Sequence, residues 1–372
     1  MANSLNILNS IRSVATQDYI ERVPEATREN IKTVGNTILS YTPFTNTFFS
    51  NLINRIGKVV VNKLTPLSDI YGVFGEEKLE YGDTIQEIFI DLVKAQPYDS
   101  TFSKPTAMLE TSKGVIHCEY TSVDRKLFYK TTISTAQLKE AFTSVQYLDE
   151  FVRGLIESMV NSFDYDKYVM LTETFAKHCQ YIIDHDDKIA PLIIPADVAV
   201  YNKTKGVVEW TTTGAKDILK YIKIASKKLK FYHSLPYFDK NGTEDKLEKV
   251  RTPIEKQVIA LELSASTTLD VDALAVIFNL QKAELNVRNI EIEDNALGSY
   301  QSTTGTDKTE YHILGFICDK GAVKRGKSFE RKDSFFNPEG LYLNMWNHYW
   351  GYQAVSKMRD FVPILLTTKT GA

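Results

Sequence analysis

The segment from Gly321 to Ser328 has the spacing of a phosphate-binding P-loop: two glycines separated by four residues, then lysine and serine. In such a loop backbone amides cradle phosphates, Lys327 would reach the outer phosphates, and Ser328 would bind magnesium. A P-loop requires a helix directly after it, yet Ser328 to Phe336 has no apolar stripe. No later strand ends in the aspartate that would help to hold magnesium. A nucleotide-binding enzyme is therefore an alternative that the surrounding sequence disfavours.

Three places combine residues that can bind metals: His117-Cys118, His178-Cys179, and His185 within the acidic segment 184–187. A zinc site takes about four ligands, and these places are far apart in the sequence. We predict that the cysteines are small core residues and that no metal is bound. The chain also lacks a G-x-S-x-G nucleophile motif, so we predict no catalytic residue and no cofactor.

Two patterns have the composition of a nucleic-acid contact. Lysines recur opposite an apolar face over 216–230, which is typical of a solvated helix face. Four aromatic residues between 342 and 352 share even parity, so a long strand would place them on one face, where core or interface packing is more typical than base stacking. These four residues are Tyr342, Trp346, Trp350 and Tyr352.

Composition excludes several classes of protein. The 372 residues carry 44 basic and 47 acidic side chains, a formal charge of −3, so a strongly basic nucleic-acid binder is excluded. With 43% apolar and 24% charged residues, the chain is expected to be ordered almost throughout. Three widely spaced cysteines indicate a reducing compartment. We find neither a secretory signal nor an apolar run long enough for a membrane span, and expect the protein to begin in a cytosol.

The first half of the chain is predicted to begin with a polar, irregular arm over 1–44 that contains short helical pieces. Strands are predicted over 115–120 and 127–133, whereas 84–93 fits a helix or a strand equally well. The sequence from Ser134 to Gln137 is a capping box that begins a helix. A helix over 148–178 would be a rod of about 46 Å, long for a compact enzyme domain.

The second half reads as an α+β lobe after a boundary at Pro191 and Pro195. The elements predicted for the lobe are helices over 216–230 and 271–280 and strands over 258–263 and 287–292. A further strand is predicted over 311–318, before the P-loop segment. In the first half, a helix is also predicted over 48–56, and a strand begins at 59–61.

Several stretches of the sequence, together with the order of the predicted elements, resemble the major capsid protein of short-tailed bacteriophages of the Bacillus podovirus group. The most specific is Asn337-Pro338-Glu339-Gly340-Leu341-Tyr342, followed by Asn344, His348 and Trp350. The other matching stretches are 54–60, 82–88 with Tyr98-Asp99, Ala141-Phe142, 148–160 and 269–279. The resemblance spans about residues 11–365.

The resemblance implies the Hong Kong 97 type capsid fold, an α+β fold, and it favours a strand over 84–93. The implied regions are an N-arm at 1–57; peripheral-domain strands and an E-loop at 58–135, its tip at about 65–120; a peripheral domain with a spine helix at 136–190; an axial domain at 191–320; and returning peripheral strands at 321–372. The best-known Bacillus relative carries an additional immunoglobulin-like domain, whereas this sequence runs eight residues past Ile364. We expect no surface role that depends on that domain.

The implied function is a structural protein that self-assembles into the icosahedral or prolate shell around a phage double-stranded DNA genome. Its implied partners are further copies of itself in hexamers and pentamers, a scaffolding protein during assembly, a portal at one vertex, and packaged DNA through non-specific inner contacts, with no membrane. Its implied locations are the virion and, during assembly, the host cytoplasm. A non-viral compartment shell of the same fold is a second alternative.

Overall fold

The computed structural model describes most of the chain. The described residues are 4–41, 43–45, 47, 48, 51, 67–80, 82–93, 95, 114–142, 145–186, 188–211, 214–238, 242–269, 288–303, 309–337 and 339–369. The helix predicted over 48–56 falls largely outside them, and the predicted strand at 59–61 and helix at 271–280 fall wholly outside.

Helices and strands follow one another in runs along the described chain. The helices are α1 (Ser4–Val14), α2 (Gln17–Arg22), α3 (Ile31–Ser40), α4 (Thr135–Ala141), α5 (Val145–Asp184) and α6 (Gly214–Leu229), with 3₁₀ turns at Leu67–Phe74 and Ile254–Lys256. The strands are β1 (Glu77–Lys78), β2 (Thr84–Ile90), β3 (Ile116–Ser122), β4 (Arg125–Ser134), β5 (Leu192–Ile194), β6 (Ala199–Asn202), β7 (Val207–Trp210), β8 (His233–Phe238), β9 (Glu244–Val250), β10 (Gln257–Glu262), β11 (Arg288–Ile292), β12 (Ser299–Gln301), β13 (Glu310–Asp319), β14 (Val323–Asn337), β15 (Tyr342–Val355) and β16 (Phe361–Lys369).

The larger sheet has the strand order β11-β10-β13-β16-β6-β7, with β12 beside β13 and β5 beside β16. Its central strands are buried on both faces, which explains why β10 and β13 read as continuous apolar runs. Phe316 and Cys318 belong to the core that also contains Phe175 of α5, whereas Ile317 belongs to the core that contains Ile218 of α6. The long helix and α6 therefore contribute to the cores on opposite faces of this sheet.

The smaller sheet has the order β1-β14-β15-β4. The predicted alternation over 127–133 is confirmed, because Ile133 is buried while Lys126, Phe128 and Lys130 on the other parity are exposed. One face of this sheet packs on α5 through Phe163, whose ring lies 4.6 Å from that of Tyr349. The sheet thus has one covered face and one outward face.

The long helix is confirmed and is longer than predicted, since α5 has 40 residues and spans about 60 Å. The capping box before α4 is also present. The backbone N–H of Gln137 donates to the Ser134 hydroxyl at 3.2 Å, and the Ser134 N–H donates to the Gln137 side chain at 3.1 Å. These reciprocal bonds satisfy donors that the first helical turn leaves free.

The N-terminal segment is more ordered than the irregular arm that we predicted. Its helices bury Ile11 and Tyr19 in a cluster that also contains Leu343 and Met345 of β15. The Arg12 guanidinium further donates to the backbone carbonyls of α2 and the residue after it. Tertiary burial against the smaller sheet, which a local pattern does not reveal, orders these short helices.

Candidate assembly surface

Strands β2 and β3 form an antiparallel hairpin in which Thr84 pairs with Ser122 and Ile90 with Ile116. The interpretation of 84–93 as a strand is therefore confirmed over 84–90. Because side chains alternate in a strand, the hairpin has two faces of different character. We call them the outer face, which contains Ile90 and Ile116, and the inner face, which contains Glu87 and His117.

The outer face is apolar and exposed. Ile88, Ile90 and Ile116 are 54%, 60% and 62% exposed, and Tyr120 is 49% exposed. Just beyond the ladder, Leu92, Val93 and Val115 are also exposed. Contiguous apolar patches of this kind mark sites of interaction on soluble proteins.

The inner face is held at its base by polar contacts to residues 356–359 and to Lys324 of β14. The Arg359 Nε donates to Glu87 at 2.8 Å, and the Lys324 ammonium lies 3.3 Å from the same carboxylate. Burial raises the pKa of Glu87, but hydrogen bonds from Ser356 and Arg359 and the charge of Lys324 outweigh it, so this pKa is lowered. Glu119 accepts from the Ser356 hydroxyl at 3.2 Å, and burial raises its pKa.

Nearer the tip, the inner face contacts the second hairpin, β8–β9, through His117. The two ring nitrogens of this buried histidine lie 3.1 Å from Asp91 Oδ2 and 2.9 Å from Asp245 Oδ2. The Tyr237 hydroxyl donates to the same Asp245 oxygen at 2.8 Å. Although burial raises the pKa of Asp245, hydrogen bonds from Tyr237, the backbone N–H of Lys246 and His117 lower it overall.

The aromatic cluster predicted on one strand face lies on β15, and its tryptophans occupy the outward face of the smaller sheet. The Lys126 ammonium lies 4.9 Å from the ring centre of Trp350, and that of Lys130 lies 5.6 Å from the ring centre of Trp346. Phe128 on the same face is 61% exposed. This outward face therefore presents alternating aromatic and basic side chains, while Tyr352 is buried.

The P-loop alternative is wrong, because most of its residues are in a strand. Gly321 and Ala322 form a turn and the rest of the motif lies in β14, so no helix begins after Ser328. Lys327 pairs with Glu330 on its own strand. A Cβ at Gly326 would clash with the backbone carbonyl of Glu77 and with the Tyr352 side chain, so this glycine allows close packing in the sheet. Phosphate binding does not explain the motif.

The candidate metal ligands do not converge, and within the described ranges no group of three or more such side chains could hold a metal ion. His117 faces the second hairpin, whereas Cys118 lies on the outer face of the first. Cys179 is buried in α5, and burial together with the nearby Lys357 lowers the pKa of His178 to about 3. His185 contacts the carbonyl of Tyr181. All three cysteines are unpaired.

The lysine-rich helix is confirmed as α6, with Ile218 and Ile222 buried and most of its lysines exposed. We had not predicted the polar network of the inner hairpin face. Its signal is the alternation Glu87, Phe89, Asp91 in one strand and His117, Glu119 in the other, which marks a second contact face. None of the helices in the part of the chain that the structure describes is both long and apolar enough to cross a membrane.

Comparison with known proteins identifies the family to which the chain belongs. Residues 8–365 match the family described as Phi29-like phage major capsid protein. The chain belongs to this family. It is 26% identical over 370 residues to the major capsid protein of Bacillus phage B103 and 27% identical over 369 residues to that of phage GA-1, covering 97% of this chain and 73% and 69% of those proteins. The Streptococcus phage Cp-1 protein is 26% identical, covering 93% and 90%.

Solved structures agree on the fold. A chain in the capsid structure of Staphylococcus phage Andhra has a TM-score of 0.52 and 14% identity, covering 80% of this chain and 83% of that one. A chain in the structure of head fiber and inner core protein gp22 of bacteriophage P68 has a TM-score of 0.53 and 13% identity, covering 78% and 82%. The predicted α+β capsid fold is confirmed. This phage major capsid protein is a structural component of the virion shell and associates with copies of itself.

Proposed function

We propose that the outer face of the β2–β3 hairpin is the surface through which one subunit contacts the next, in the manner of an E-loop. The observation that carries this proposal is the exposure of Ile88, Ile90 and Ile116 on one face of a two-stranded ladder. An isolated hairpin is at best marginally stable, and covering this face removes apolar area from water. A neighbouring copy is the fitting partner, because the family forms shells from one major chain.

On this proposal the chain forms hexamers and pentamers around a scaffolding protein, with a portal at one vertex, and encloses double-stranded DNA. The proposed division is an N-arm at 1–57, peripheral strands with the E-loop at 58–135, the spine-helix region at 136–190, an axial domain at 191–320 and returning strands at 321–372. The formal charge of −3 fits weak, non-specific contacts between the inner surface of the shell and DNA that must later be released. Stability of the shell would come from many moderate interfaces.

The test is a hairpin shortened without damage to its base. The 3₁₀ turn before it buries Tyr71 and Phe74, and β1 pairs with β14, so these segments are kept. Residues 92–114 are replaced by Asn-Gly, a two-residue turn that suits the antiparallel ends at Asp91 and Val115. Because the shortened ladder would still carry the outer face, Ile90→Lys and Ile116→Glu are added to the same variant. Expressed with its scaffold, this variant is expected to remain soluble and to form no closed shells by electron microscopy. Closed shells of normal size would refute the proposal.

A further inference from the structure

The β2–β3 hairpin is attached to its own subunit at two separate places. At the base, Glu87 and Glu119 bind Arg359, Ser356 and the backbone N–H of Lys357. These hydrogen-bonding partners lie in one short turn between β15 and β16, and Lys324 at the start of β14 lies 3.3 Å from Glu87. Contacts confined to one end of a two-stranded ribbon leave it free to tilt about that end, so they do not by themselves fix its orientation.

The second attachment lies further along the ribbon and contacts a different element. The His117 side chain, which is 4% exposed, bridges Asp91 at the end of β2 and Asp245 of β9. The backbone N–H of Glu248 donates to the other Asp91 oxygen at 3.1 Å. Tyr237 of β8 contacts His117 Nδ1 at 3.1 Å. We call His117, Asp91, Tyr237 and Asp245 the His117 latch.

The hydrogen bonds of the His117 latch have defined directions, and the apolar packing beside them is a small cluster. Phe89 is half-buried against the small cluster that contains Leu247 and Met358. Apolar contact of this kind tolerates sliding, whereas hydrogen bonds to charged groups have preferred distances and angles. The orientation of the ribbon relative to β8–β9 therefore depends mainly on the hydrogen bonds that His117 and Asp91 make with that hairpin.

We propose that His117 is a positioning residue for assembly, which holds the β2–β3 hairpin at a fixed angle so that its outer face meets a second copy of this chain. The proposal rests on the assembly role given above to the outer face. His117 acts through Asp91 and Asp245, and contributes nothing to the outer face itself. Without the latch, the hairpin can adopt many angles relative to β8–β9. Each subunit contact would then have to restrict the hairpin to one angle, and the conformational entropy lost in doing so would weaken the contact.

The angle can be measured in the unassembled, full-length chain with two spin labels. Val93 on the hairpin is 64% exposed, and Lys177 on α5 is exposed on a rigid helix, so each is replaced by a labelled cysteine. Cys118 is replaced by serine, while Cys179 and Cys318 are fully buried and escape labelling. Electron-spin distance measurements then give the distribution of hairpin positions.

In the labelled chain with Cys118 replaced by serine, we expect a narrow distribution of distances between the two labels. His117→Leu should broaden this distribution and shift its centre by several ångströms. Asp245→Ala should broaden it in the same way, and this half-exposed aspartate can be removed with little effect on folding. Gln86→Ala is the matched control, because Gln86 lies on the outer face of the same ribbon and donates to Cys118 and Tyr120 of the same hairpin. The control distribution should stay narrow.

An unchanged distribution in folded Asp245→Ala and His117→Leu would overturn the proposal, as would equal broadening in Gln86→Ala. If His117→Leu fails to fold, Asp245→Ala decides alone. The measurement is made on free subunits, so its failure is distinct from failure of the assembly role. Broadened distributions together with normal shells from the shortened hairpin would retain the latch and refute the assembly surface.

Discussion

Exchanging Ile90 for lysine and Ile116 for glutamate tests the assembly surface with little expected effect on the subunit. The two residues are directly opposite in the ladder and 60% and 62% exposed. Opposite charges in cross-strand positions contribute about 0.2–1 kcal/mol, so the ladder should remain intact. We expect the thermal unfolding midpoint of the free subunit to stay close to that of the wild type.

The effect on assembly follows from the area lost. Fully burying an isoleucine side chain stabilises by about 1.5–3 kcal/mol, and the part still exposed here corresponds to roughly 1–2 kcal/mol per residue. Two residues give roughly 2–4 kcal/mol per contact, which weakens it roughly 30- to 1,000-fold. We expect the subunit concentration needed for shell formation with scaffold to rise accordingly in sedimentation and electron microscopy.

The matched control replaces both isoleucines by leucine, which preserves apolar area. This control should assemble near the wild-type concentration. Assembly of the charged variant at an unchanged concentration would refute the reasoning that the outer face is covered in the shell.

Three further predictions concern stability, measured by urea unfolding of the free subunit. Gly326→Ala should cost about 1–3 kcal/mol, because the added Cβ meets the Tyr352 ring, and an unchanged midpoint would contradict this packing. The pKa of His178 is lowered to about 3, so the unfolded state takes up the proton first and the folded state should lose about 2 kcal/mol between pH 7 and pH 5. His178→Gln should remove that loss, and an equal loss in the variant would exclude this cause. Asp360 raises the pKa of His233 through their hydrogen bond. The contribution of protonated His233 to the free energy of unfolding is therefore complete below about pH 6.5, the usual pKa of histidine, and is lost as the pH rises through the raised pKa. A pH dependence above 6.5 that is the same in His233→Asn would show that another group is responsible.

Local sequence patterns predicted the elements whose conformation is determined by neighbouring residues in the chain. The period-2 alternation over 127–133 predicted β4, and the Ser134 to Gln137 capping box predicted the start of α4. The long helix was predictable because no proline interrupts 148–178. In each case the residues that determine the structure are neighbours in sequence.

Features that depend on distant residues were not predictable in this way. His117 was a weak metal candidate in the sequence, and its partners Tyr237 and Asp245 are more than 100 residues away. The order of the N-terminal helices likewise depends on β15. Conversely, Gly326 and Lys327 completed a P-loop motif although pairing with β15 holds the segment extended.

The most direct test of the central claim is an electron-microscopy reconstruction of shells formed by the full-length chain with its scaffold, at a resolution that resolves side chains. We expect Ile88, Ile90 and Ile116 of each subunit to be buried against a second copy, with His117 still bound to Asp245 of its own chain. Closed shells in which the outer hairpin face remains exposed to solvent would contradict it.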